Sequence, residues 1–86
     1  MWQKFRSEFP VTGKYIYLNH AAVGPLSTRI RDRVDRTVRM FMEEGGLCFE
    51  TVREEIEEVR KNAAAFIGAS SEEISFVTNT TSGVLL

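Results

Sequence analysis

The chain has 86 residues, of which 43% are hydrophobic and 27% charged, and its formal net charge is −1. This balance is typical of an ordinary globular protein and gives no reason to expect nucleic-acid binding. No apolar run reaches the roughly 20 residues that span a bilayer, so we expect no membrane partner and a cytoplasmic location. The single cysteine, Cys48, excludes an internal disulfide and is expected to be a buried apolar residue.

The first part of the chain predicts little regular structure. Trp2, Phe5 and Phe9 are spaced for a short amphipathic helix. Residues 15–18 are rich in β-forming side chains and predict a short strand, which ends in small residues and a Gly24-Pro25 break. The backbone can come close to a ligand at such a break.

Two long helices are predicted in the middle of the chain. The first covers residues 27–44, begins at the candidate N-cap Ser27 and ends at Gly45-Gly46. The second covers residues 49–67 and ends at Gly68. Apolar residues recur every three or four positions along both helices, and those of the second are Val52, Ile56, Val59, Ala63, Phe66 and Ile67. We expect the two helices to pack antiparallel across the Gly45-Gly46 turn.

The charged and potential metal-binding side chains predict neither a nucleic-acid surface nor a metal site. The five arginines of the first helix alternate with acidic residues, which favours a solvated helix face over a nucleic-acid surface. His20 is the only histidine, and no second histidine, cysteine or paired carboxylate lies near it in the sequence. We therefore expect no metal site.

Residues 74–77 predict a short run of β structure. The last eleven residues, 76–86, then predict the end of this strand, a hydroxyl-rich turn and the start of a helix. Unpaired N–H groups in the first turn of a helix can bind a phosphate, and Thr80, Thr81 and Ser82 add hydroxyl donors. A Ser/Thr cluster before an apolar run is also typical of plain helix capping. The stretch at residues 15–25 favours phosphate binding over plain capping, because it is a second place where the backbone can approach a ligand.

Taken together, residues 15–25, 63–78 and 76–86 resemble the N-terminal part of the class V aminotransferases. These are pyridoxal-phosphate enzymes of fold type I, and they include cysteine desulfurases, selenocysteine lyases and isopenicillin N epimerase-like proteins. The resemblance covers residues 15–86. It implies a mainly α fragment, with two long antiparallel helices and short β runs, of a parent α/β enzyme.

The resemblance also implies site residues. Thr80 and Thr81 match the family positions that hold the cofactor phosphate, while the stretch that lines the substrate side of the pocket matches Asn19, His20, Ala21 and Ala22. His20 stands where the family often has asparagine, and Ser82 replaces an acidic residue common in desulfurases. These departures lean toward the epimerase-like branch without settling the substrate.

No catalytic residue is assigned. In the family the lysine that binds the cofactor, the carboxylate beside the ring nitrogen and the basic residue for the substrate carboxylate all follow later in the chain. Lys4, Lys14 and Lys61 match none of these positions. We therefore expect an N-terminal fragment, truncated at residue 86, in which residues 1–68 lead into the first strand and helix start of the large domain at residues 74–86.

Two functions follow from this sequence. In the first, the parent enzyme acts on an amino acid as a desulfurase, lyase, epimerase or transaminase, while this fragment alone is inactive and is not expected to bind pyridoxal phosphate specifically. In the second, the chain is a free-standing helical hairpin that self-associates and has no catalytic role. Both predict a homo-oligomer, because the apolar positions of the second helix exceed what one facing helix can cover.

Overall fold

The computed structural model describes residues 2–86, and the chain divides into two compact units, Met1–Gly46 and Leu47–Leu86. The first unit contains the short helix α1 (Gln3–Arg6), a 3-10 helix (Pro10–Gly13) and the long helix α2 (Thr28–Glu44). A 3-10 helix, Gly45–Cys48, follows α2. The second unit contains α3 (Phe49–Ile67), a 3-10 helix (Ser71–Glu73) and α4 (Thr80–Leu85). The predicted mainly α character is confirmed.

Helix α2 begins where its capping residue predicts. The Oγ atom of Ser27 accepts the N–H of Ile30 at 3.3 Å, while the Ser27 backbone is extended, as an N-cap requires. Glu8 fixes the same end, because its carbonyl accepts the N–H of Thr28 at 2.8 Å and its carboxylate pairs with Arg29 at 2.8 Å. The sequence-based boundaries of α2 are therefore correct to one residue.

Helix α3 ends at a glycine, as predicted. Gly68 has a φ of 73°, which glycine adopts without steric cost, and the N–H of Ala69 donates to the Ala64 carbonyl at 2.8 Å. Ala64 is only 3% exposed, and the 3-10 helix Ser71–Glu73 packs on α3. Cys48, at the start of α3, is 1% exposed, which confirms the prediction that it is buried.

The two predicted β runs are wrong. Residues 15–18 and 74–77 form no strand, and no other strand occurs within residues 2–86. β-forming side chains favour a strand only when a neighbouring strand pairs with the backbone, and neither run has such a neighbour. Ile16 and Leu18 are consequently exposed by 88% and 82%.

Three further expectations have different outcomes. The predicted N-terminal amphipathic helix is reduced to the four residues of α1, and Phe9 lies outside it. The antiparallel packing of α2 on α3 and the α/β fold of a parent enzyme stay predictions.

Among the helices of residues 2–86, none combines the length and apolar character needed to cross a bilayer.

Candidate functional site

The turn before α4 is organised by an asparagine. We call residues 79–83 the Thr80 turn. The Oδ1 atom of Asn79 accepts the N–H of Ser82 at 2.8 Å, and the Asn79 carbonyl accepts the N–H of Gly83 at 3.2 Å. Sequence reasoning assigned the turn to its hydroxyl residues and missed Asn79, although asparagine is among the best N-cap residues.

Capping by Asn79 leaves the two predicted phosphate ligands free to donate. Thr80 and Thr81 are the first two residues of α4 and both are exposed. Neither their N–H groups nor their hydroxyls have a hydrogen-bond partner within residues 2–86, whereas the hydroxyls of Thr78 and Ser82 lie 3.3 Å apart. The turn therefore offers neutral donors at a helix start, which is a suitable arrangement for an anion.

Arg60 holds the segment that leads into the Thr80 turn. Its guanidinium donates to the Ile74 carbonyl and to Glu57 Oε1, the latter at 3.1 Å. The same group lies 5.0 Å from the ring centroid of Phe76, within the range of a cation–π contact. No pattern in the sequence assigned a role to Arg60. Its partners 14 and 16 residues further along were not foreseen.

A capping box stabilises the start of the same segment. The backbone N–H and the hydroxyl of Ser70 both lie within hydrogen-bond distance of Glu73 Oε1, at 3.0 and 3.2 Å. The Ser70 hydroxyl in turn accepts the Glu73 N–H. The backbone N–H of Ser70, followed by its hydroxyl, lowers the pKa of Glu73, because both favour the ionised carboxylate.

The predicted substrate-side residues form a separate turn in the first unit. We call residues 19–23 the Asn19 turn. The Asn19 carbonyl accepts the N–H groups of Ala22 and Val23 at 3.2 and 3.4 Å. The hydroxyl of Tyr17 lies within hydrogen-bond distance of the Asn19 carbonyl, at 3.1 Å, and of the Val23 carbonyl.

The side chains of the Asn19 turn face solvent. Asn19, His20, Ala21 and Ala22 are all exposed, and the His20 ring lies 5.6 Å from the Tyr17 ring at an angle of 47°. The four residues thus share one turn, while Thr80 and Thr81 are neighbours in the other unit. Within residues 2–86, no group of three or more His, Cys, Asp or Glu side chains could hold a metal ion.

The exposed N–H and hydroxyl groups of Thr80 and Thr81 could donate hydrogen bonds to phosphate oxygens. No charged side chain forms part of the turn, so a bound dianion would receive hydrogen bonds from it but no neutralising charge. Comparison with protein-family models, with curated proteins and with solved structures finds no match to this chain.

Proposed function

We propose that this chain is part of a pyridoxal-phosphate enzyme of the class V aminotransferase type, which acts on an amino acid as a desulfurase, lyase, epimerase or transaminase. The observation that carries the proposal is the pair of unpartnered N–H and hydroxyl groups at Thr80 and Thr81. These are the two positions that the family resemblance assigns to the cofactor phosphate. The cofactor, when bound, supplies an electron sink for bonds at the amino-acid α-carbon.

The residues of this chain would hold the phosphate end of the cofactor. Asn79 satisfies the Ser82 N–H, so the donors that remain for an anion are those of Thr80 and Thr81. Arg60 fixes the path of residues 74–76 and thereby the position from which the turn begins. The phosphate would thus meet donors whose orientation is set before it binds, which lowers the entropic cost of binding.

The Asn19 turn would line the substrate side. Its two alanines would leave room for a substrate backbone, and the Tyr17 hydroxyl lies within hydrogen-bond distance of the Asn19 and Val23 carbonyls. The role of His20, whose side chain is exposed, would be contact with the substrate.

The decisive experiment uses the complete open reading frame that contains this chain. The protein expressed from it should retain pyridoxal phosphate on a lysine outside residues 1–86, as detected by borohydride trapping and peptide mapping. In that protein, Thr81→Ala should weaken cofactor retention roughly ten- to a hundredfold, because a hydrogen bond to a charged group contributes about 1.5–3 kcal/mol. Thr80→Ala should have a smaller effect, because we expect Thr80 to bind the phosphate mainly through its backbone N–H, which alanine retains, and Thr81 through its hydroxyl.

The control is Thr51→Ala, which removes an equivalent exposed hydroxyl from α3. Unchanged retention in Thr51→Ala together with a loss in Thr81→Ala would support the phosphate seat. Equal retention in both variants would refute it. A reading frame that ends at Leu86, combined with stoichiometric labelling of Lys4, Lys14 or Lys61 and turnover of an amino acid, would instead show that this chain is an enzyme by itself.

A second candidate function is self-association through α3. Its apolar stripe, defined above by residues 52–67, remains largely uncovered, with Ile56, Val59 and Phe66 exposed by 43%, 53% and 91%. Exposed apolar side chains in a row along one helix are typical of an interaction surface. We expect the isolated chain to form a homo-oligomer in which this stripe is buried.

Sedimentation of the isolated chain tests the second candidate. The wild-type chain should sediment as an oligomer, and Ile56→Asp should shift it toward monomer because a carboxylate would have to be buried without a partner. The matched control Glu54→Asp changes an exposed acidic position on the same helix and should leave the oligomer intact. A monomeric wild-type chain at high concentration would contradict the candidate function whether or not the variant folds.

A further inference from the structure

No further inference is drawn: the strongest candidate, the side-chain cluster of Glu57, Arg60 and Phe76 that joins α3 to the segment before α4, belongs to the candidate site already described.

Discussion

The Asn19 turn and the Thr80 turn differ in the backbone group that a side chain binds. It is a carbonyl in the Asn19 turn and an N–H in the Thr80 turn. In the Asn19 turn, the Tyr17 hydroxyl reaches backbone carbonyls, so acceptors are engaged from outside the turn. In the Thr80 turn, the Asn79 side chain takes a backbone N–H, and the donors of Thr80 and Thr81 are left over. The first turn is therefore closed by the hydroxyl of one aromatic side chain, whereas the second leaves the N–H and hydroxyl donors of Thr80 and Thr81 exposed.

The approaches to the two turns also differ. Residues 74–76, before the Thr80 turn, are tied to α3 by Arg60, while Ile16 and Leu18, before the Asn19 turn, are exposed and have no strand partner. A turn reached from a fixed segment can keep its donors in place before a ligand arrives. A turn reached from an untied segment depends on bonds within and next to the turn, which here involve the Asn19 carbonyl and the Tyr17 hydroxyl.

The largest difference between the two turns should appear on removal of the asparagine cap. Asn79→Ala deletes the acceptor of the Ser82 N–H, and loss of an N-cap costs about 0.5–2 kcal/mol. We expect the carbon chemical shifts of α4 to move toward random-coil values while those of α3 stay unchanged.

Two control variants accompany Asn79→Ala. Asn79→Asp keeps an N-cap oxygen and should preserve α4, while Asn62→Ala alters an exposed asparagine in the middle of α3 and should leave α4 as it is. Intact α4 shifts in Asn79→Ala would contradict the assignment of the cap.

A somewhat smaller effect is expected from the tyrosine that closes the Asn19 turn. Tyr17→Phe removes only the hydroxyl and should cost about 0.5–1.5 kcal/mol, the usual net contribution of a hydrogen bond. The measurement is faster amide hydrogen exchange at Ala22 and Val23. Tyr15→Phe is the matched control, because the Tyr15 hydroxyl has no hydrogen-bond partner in the described structure and its side chain is exposed. Equal exchange in both variants would show that Tyr17 does not close the turn.

The smallest expected effect is the pH dependence of the capping box at the start of the segment that leads into the Thr80 turn. The hydrogen bonds from Ser70 lower the pKa of Glu73 below its ordinary value of 4.5. The capping box is therefore fully formed above that value and is lost as the pH falls through the lower pKa of the folded state. An NMR titration should show the Ser70 amide shifting with the Glu73 carboxyl.

Glu73→Gln provides the control for the pH experiment. Glutamine retains a side-chain oxygen acceptor for the Ser70 N–H but does not titrate, so the pH dependence of the Ser70 amide should disappear. A Glu73 carboxyl that titrates at 4.5 or above in the wild-type chain would contradict the capping box as the cause.

Local signals in the sequence predicted the helices well. Ser27 and Gly68 mark helix ends through bonds to residues only a few positions away, so their effects can be read from the sequence itself. The strand predictions failed because a strand depends on a partner distant in sequence, which residues 15–18 and 74–77 do not have.

The candidate site was less predictable than the helices, for two reasons. The cluster of three hydroxyl residues suggested that hydroxyl groups organise the turn. The acceptor that caps the helix is instead the side-chain oxygen of Asn79. The contacts of Arg60 with Ile74 and Phe76 depend on the path of the chain after Gly68, which no short-range pattern specifies. The roles of Thr80, Thr81 and the Asn19 turn in binding stay predictions.

Because Cys48 is buried, its reaction with a thiol reagent reports local opening of the structure around it. Its thiol is 1% exposed and is the only one in the chain, so a thiol reagent reaches it only when the surrounding structure opens. When reclosing is slow relative to modification, the labelling rate equals the rate of opening. When reclosing is fast, the rate instead measures the equilibrium population of the open form. Labelling of this native thiol, with no engineered residue, can thus distinguish kinetic from thermodynamic control at the start of α3.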